Sequence, residues 1–175
     1  HSRIIRLINK EIKNAKAGRP ARIIAKMNAL TEKKIVDKLY SASQSGVKIE
    51  LIVRSACTLR PGIKGLSENI TVKSILGRFL EHTRIYYFEN NGSPRTYIAS
   101  ADWMDRNFFS RVEIAVPIED KVLNRRIVSE GLRYYLNDNY NAWILRKNGK
   151  YHRVTNRKNR KYEAQKRLLE KLSRF

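Results

Sequence analysis

Cysteine is nearly absent from this 175-residue chain, with Cys57 the single copy. One thiol forms no internal disulfide and supplies no thiolate cluster for zinc, which fits a reducing compartment. Histidine is scarce as well, at three residues, and this narrows metal chemistry further. Long apolar runs are missing: nothing approaches the ~18 residues of a membrane span, and the first residues lack the apolar stretch and small-residue cleavage site of a signal peptide. A cytoplasmic protein is therefore expected. Acidic residues are few, 16 Asp+Glu against 37 Lys+Arg, for a net charge of +21. Such a balance selects a polyanionic partner, because neutralising it releases counterions and draws it in from a distance. Nucleic acid, an acidic membrane surface and polyphosphate all qualify at this level.

What is present is the composition of one soluble globular domain, with 42% hydrophobic and 30% charged residues. The charge is uneven. Residues 146–175 hold twelve Lys/Arg against Glu163 and Glu170, or +10, whereas residues 61–120 sum to −1. The middle of the chain reads as a folded core with individually placed cations. The end reads as a basic appendage within a single domain over 1–175, with a basic C-terminal helix over 156–175.

Ile4, Ile5, Leu7, Ile8 and Ile12 fall at helical spacing, and Gly18-Arg19-Pro20 stops the pattern. A short β-branched run from Ala21 to Met27 suits a buried strand. A helix from Glu32 to Ser45 ending at Gly46 follows, and then a strand from Val47 to Val53. This βαβ unit predicts parallel strands and an α/β class. Residues 55–69, with Arg60-Pro61-Gly62 and Gly65, form a loop at the carboxyl end of the second strand, where ligands sit in open α/β sheets. Further strands are predicted over 70–76, 83–89, 95–99 and 111–118, with Asn90-Asn91-Gly92 as the turn between the second and third of these. A helix over 120–136, a small hairpin over 142–154 and a basic helix over 156–173 complete the chain.

His82 precedes an aromatic, β-branched strand as His82-Thr83-Arg84, and Ser100 and Asn107 follow the next strand. That order resembles half of a phospholipase D-type active site, in which a histidine, any residue and a lysine are followed by a serine and an asparagine. In that superfamily two such halves face one pocket. One imidazole attacks phosphorus while the second handles the leaving group's proton. Here Arg84 stands where lysine is usual, Glu89 where aspartate is usual, and Ala99 where a glycine precedes the serine. Only one half is present.

Longer segments carry a closer resemblance. Ile23-Ile24-Ala25-Lys26-Met27-Asn28-Ala29-Leu30-Thr31, Ile52-Val53-Arg54, Leu59-Arg60-Pro61-Gly62, Gly65-Leu66-Ser67-Glu68-Asn69-Ile70, Gly77-Arg78-Phe79-Leu80-Glu81-His82 and Ser100-Ala101-Asp102-Trp103-Met104 closely resemble the last domain of bacterial polyphosphate kinases in order and spacing. The resemblance implies a phospholipase D-like mixed sheet flanked by helices, in a C-terminal fragment of a longer, homo-oligomeric enzyme. That enzyme reversibly moves the terminal phosphate of ATP onto polyphosphate. It further implies that the phosphorylated histidine and the magnesium ligands lie in a preceding domain, outside this chain. By motif position, Arg54 and His82 contact nucleotide phosphates, and His82 is the second, non-phosphorylated histidine. ATP or ADP and polyphosphate are then the partners, and nucleic acid is not a specific one.

Residue chemistry runs the same way. Arg54 ends a strand, so its planar fork is available at the ligand edge of the sheet for two phosphate oxygens. Arg60 and Arg84 are further candidates. For each arginine the alternative is a structural ion pair with a nearby acid such as Asp102. Trp103 and Met104 read as core or pocket wall. The basic final helix reads as a solvated face, or as a tract that guides polyphosphate or rests on the inner membrane surface. Two other functions stay open: a basic nucleic-acid-binding module, and a phosphodiesterase of phospholipase D type completed by homodimerisation.

Overall fold

Arg22–Met27, apolar but for Arg22 and Lys26, forms β1, and Lys48–Val53 forms β2, joined by helix α2 (Lys33–Gln44). The two strands pair in parallel, with Ile23 opposite Ile49 and Met27 opposite Val53. Glu32 starts α2 by accepting from the Lys34 and Ile35 amides at 3.1 and 2.7 Å, which satisfies two donors that the first helical turn leaves open. In this computed structural model residues 1–154 and 160–173 are described.

Around the βαβ unit the chain adds α1 (Ser2–Lys16), β3 (Ile70–Ile75), β4 (Arg84–Phe88), β5 (Arg95–Ala99), α3 (Asp105–Phe109) and β6 (Ala115–Pro117). A continuous helical stretch follows as α4 (Lys121–Ile127), a π-helical segment (Val128–Arg133) and α5 (Tyr134–Asn137). β7 (Ala142–Leu145), β8 (Tyr151–Arg153) and α6 (Ala164–Leu172) close the order. The strands make one mixed sheet in the order β6-β5-β4-β1-β2-β3-β7-β8. Asn90, Asn91 and Gly92 all take positive φ, which lets the β4–β5 connection reverse direction where asparagine and glycine are tolerated.

Side-chain alternation divides the core between the two faces of the sheet. Ile23, Ala25 and Met27 of β1 pack with Ile4, Leu7 and Ile8 of α1 and Ile35 and Leu39 of α2. Ile24, Ile52, Ile75 and Ile85 face the other way, against Leu132, Tyr135 and Ala164. Each such fully buried Ile or Leu contributes about 1.5–3 kcal/mol by leaving water, so the central strands are held from both sides. No described helix is long and apolar enough to cross a membrane.

Three predicted elements change length. The strand expected over 111–118 is paired only at Ala115–Pro117, and Val112 and Ile114 are 100% and 65% exposed. Their alternation therefore meets no covering layer among the described residues. The helix expected to start at 156 begins at Ala164, with 160–163 outside any helix and 155–159 outside the described residues. The helix over 120–136 extends to Asn137 through the π-helical segment.

Candidate active site

Strand directions bring four chain segments to one edge of the sheet. β4 runs antiparallel to β1, with Ile85 opposite Lys26, and β5 runs antiparallel to β4, with Ala99 opposite Arg84. The residues after β1 and β2, before β4 and after β5 therefore meet. They are Asn28, Arg54, His82 to Arg84 and Ser100 to Asp102.

Asp102 is the hub of this edge. It is 4% exposed. Its Oδ1 accepts from the Asn28 amide at 2.6 Å and from Arg84 Nε at 3.2 Å; its Oδ2 accepts from Arg84 Nη2 at 3.1 Å and from Asn28 Nδ2 at 3.2 Å. Burial alone raises a carboxyl pKa, but the hydrogen bonds from Arg84 and Asn28 outweigh it and hold Asp102 below its ordinary value. The segment carrying Asp102 is itself pinned. The Trp103 amide donates to Ala29 O at 3.2 Å, the Tyr86 hydroxyl donates to Ala101 O, and the Tyr86 and Trp103 rings lie 5.0 Å apart.

Two arms leave the hub. On one, Arg84 Nη1 donates to His82 Nδ1 and to His82 O, both at 3.0 Å. An arginine has no acceptor, so Nδ1 must accept and the neutral imidazole carries its proton on Nε2. The His82 ring is exposed, and that Nε2–H is its free donor. These bonds occupy four of the five N–H donors of Arg84 and leave one for a ligand. On the other arm, Asn28 Oδ1 accepts from Arg54 Nε at 2.7 Å, which fixes the plane of the guanidinium. No carboxylate pairs with Arg54 among the described residues.

The loop that delivers His82 is latched from outside the motif. Lys26, buried in β1, pairs with Glu81 at 2.8 Å and lies 3.3 Å from the centre of the Tyr135 ring. Glu81 also accepts from the Tyr135 hydroxyl at 2.9 Å and from Gln165 Nε2 at 2.7 Å. Burial lowers the Lys26 pKa, since a charged ammonium is disfavoured away from water. Gln165, in the first turn of α6, further exchanges two hydrogen bonds with the Phe79 main chain at 2.7 and 2.9 Å. A Cβ at Gly77 would overlap Gln165 Oε1, so a side chain there would push the Gln165 amide out of place.

The other predicted residues make contacts of their own. Ser100 Oγ and Asn107 Nδ2 both donate to Glu113, which holds that carboxyl below its ordinary value and ties the chain after α3 back to β5. Arg60 is exposed; its amide donates to the Tyr40 hydroxyl at 2.8 Å and its carbonyl accepts from Ser67 Oγ at 2.7 Å, so its backbone is anchored while its guanidinium faces solvent. Trp103 is fully buried and belongs to the core. Cys57 has its thiol pushed up to about 11 by burial and is no thiolate nucleophile. Sequence reasoning did not single out Asn28, Glu81, Glu113 or Gln165 as parts of the site. Lys26 carried a readable signal, since a lysine inside an apolar strand requires a buried acid partner.

Chemically, the edge offers a positioned guanidinium, an imidazole N–H and the last donor of Arg84 to an oxyanion. Among the described residues no three His, Cys, Asp or Glu side chains gather to hold a metal ion.

Comparison with known proteins now bears on this geometry. Residues 1–165 match the family described as polyphosphate kinase C-terminal domain 2. Polyphosphate kinases of Burkholderia ambifaria and Burkholderia lata are 58% and 59% identical over 153 residues, which are 87% of this chain and 22% of theirs. The crystal structure of polyphosphate kinase from Porphyromonas gingivalis superposes with a TM-score of 0.94 at 37% identity, covering 98% of this chain and 26% of that one. NucT from Helicobacter pylori, with a TM-score of 0.53 at 14% identity, and the phospholipase D family member Nuc from Salmonella typhimurium, with 0.53 at 13%, share the fold alone. The match over residues 1–165 and the shared fold agree: this chain belongs to the family of the polyphosphate kinase C-terminal domain 2.

Proposed function

We propose that this chain is the second half of a polyphosphate kinase active site, serving reversible transfer of the terminal phosphate of ATP to inorganic polyphosphate. The observation that carries the reading is the single carboxylate, Asp102, that orients both His82, through Arg84, and Arg54, through Asn28. Two residues distant in sequence are thereby aimed from one sheet edge, as a phosphate clamp requires.

In this reading an imidazole of the preceding domain attacks the terminal phosphorus of ATP. The bond to the bridging oxygen breaks and ADP leaves. The terminal oxygen of a polyphosphate then attacks phosphorus, and the nitrogen–phosphorus bond breaks. Arg54 holds phosphate oxygens in a planar fork, and the Nε2–H of His82 donates toward the leaving or entering oxygen. Arg60, on the exposed loop after β2, is a second-line contact for the polyphosphate chain. Magnesium supplies charge neutralisation when bound. The described residues do not fit a site of their own for it. Because the chain spans 22% of its curated relatives, activity is assigned to the whole enzyme, assembled as a homo-oligomer, and not to this part alone.

The test uses the full-length enzyme. His82→Ala lowers kcat by roughly 10²–10⁴-fold with the KM for ATP little changed, and Arg54→Ala raises that KM by about tenfold or more. Wild-type constants in both variants overturn the reading. Phosphodiester hydrolysis by the isolated chain at a rate that follows dimer concentration replaces it with a phosphodiesterase. Capture of duplex DNA without ATP binding replaces it with a nucleic-acid module.

A further inference from the structure

At the end of β4 and β5 opposite His82 lies a cleft of about 740 Å3. β4 is five residues long, which separates the two places by roughly 17 Å along the strand. The cleft gathers Arg3, Arg95, Lys121 and Arg125, against one lining acid, Glu119. None of these four cations belongs to an ion pair among the described residues, although the chain pairs other lysines and arginines repeatedly.

The cleft has a built floor. Thr96 and Tyr97 are buried, Thr96 Oγ1 donates to Asn124 Oδ1 at 3.2 Å, and Asn124 Nδ2 donates to Ile118 O at 3.1 Å. Arg3 lies over the Tyr97 ring, 5.4 Å from its centre. Four cations held on one concave surface against a single carboxylate, Glu119, repel each other, and a ligand carrying several negative charges relieves that repulsion. A single phosphate engages one or two of them; cations spread along a cleft of this size suit a linear polyanion. Nucleic acid is the weaker fit, because the one ring at the floor is buried and covered by Arg3, leaving no platform on which bases stack.

We infer that this cleft is a distal docking site for the inorganic polyphosphate chain, separate from the His82 edge. The inference rests on the function proposed above and adds a second point of attachment. Short oligophosphates occupy one site, whereas a long chain reaches both and gains affinity through effective concentration.

The experiment measures binding of ATP, tripolyphosphate and long-chain polyphosphate to the full-length enzyme at near-physiological salt. The cleft variant is Arg95→Gln/Lys121→Gln/Arg125→Gln. The control is Arg146→Gln/Lys147→Gln/Lys150→Gln, an equal loss of charge on the exposed β7–β8 turn at the far edge of the sheet. Far-UV circular dichroism confirms that both fold. The cleft variant is expected to bind long-chain polyphosphate about tenfold more weakly, with ATP unchanged and the salt slope shallower by about 2. The control is expected to shift all three ligands by less than about threefold. Equal weakening by the two variants overturns the site in favour of diffuse attraction. Duplex DNA that competes and depends equally on the cleft overturns it in favour of nucleic acid. An Arg54→Ala arm separates the two readings: unchanged ATP affinity there sinks the proposed function, while the polyphosphate arms still decide the cleft.

Discussion

Gln165 and Phe79, 86 residues apart, exchange hydrogen bonds as two paired strands do: Phe79 N donates to Gln165 Oε1 at 2.9 Å, and Gln165 Nε2 donates to Phe79 O at 2.7 Å. Helix α6 thereby fixes the loop that ends in His82, and the positioning of the histidine depends on a side chain at the far end of the family match, which spans residues 1–165.

Gln165→Ala in the full-length enzyme is expected to lower kcat by about tenfold while the KM for ATP stays within about twofold, because Arg54 is not attached to this loop. Gly77→Ala reproduces the same split, since its Cβ displaces Gln165. Steady-state kinetics of both variants check this, and a change confined to KM counts against a positioning role.

Asp102→Ala leaves the Arg84 guanidinium, 13% exposed at its side chain, without its partner, and is expected to destabilise the fold by about 3–5 kcal/mol. The folded carboxyl lies below its ordinary 3.8, so its contribution is complete above that value and is lost as pH falls through the folded pKa. Asp102→Asn is therefore expected to flatten the loss of stability as pH falls below the ordinary carboxyl value. Urea midpoints across that range measure it, and an unchanged acid limb contradicts the assignment.

Lys26 and Glu81 form a buried pair in which each removal strands the other charge. Lys26→Met alone is expected to cost about 3–5 kcal/mol, and Lys26→Met with Glu81→Gln considerably less than the two single changes summed. A double-mutant cycle by denaturant unfolding reads the coupling, and simple additivity rules the pair out as a unit.

Asn28→Ala removes the acceptor that orients Arg54 Nε, together with a donor to Asp102. ATP affinity is expected to fall by about tenfold, and Arg54→Lys is expected to fall as far, because an ammonium has no fork to align. Titration calorimetry with ATP tests both; full affinity in Arg54→Lys shows that charge alone suffices.

At pH 7.5 Cys57, with its thiol pushed up to about 11, is expected to react with iodoacetamide at least about tenfold more slowly than free cysteine does. Timed alkylation followed by mass measurement decides this.

Much of the architecture is legible in the amino-acid sequence, and the physical reason is local. Strands buried on both faces read as near-continuous apolar runs, as Ile23 to Met27 does around Lys26, and α1 and α2 show their buried stripes in spacing alone. Local signals also failed at an identifiable place. Val112, Ile114 and Val116 alternate like a strand with one covered face, yet pairing starts only at Ala115, because alternation marks a face to be covered and says nothing of what covers it.

The chain's charge, its βαβ core, His82 as a motif residue and Arg54 at a strand end were determined by the sequence itself, since each depends on neighbours a few residues away. Tertiary structure alone decided that Asp102 holds Arg84 and Asn28 together, that Ser100 and Asn107 bind Glu113, and that Gln165 latches Phe79. It alone also brought Arg3 to the cleft formed by Arg95, Lys121 and Arg125. Most of these partners lie more than ten residues apart, up to 86 for Phe79 and Gln165, and a hydrogen bond forms only where packing brings donor and acceptor within about 3 Å, a distance no spacing along the chain encodes.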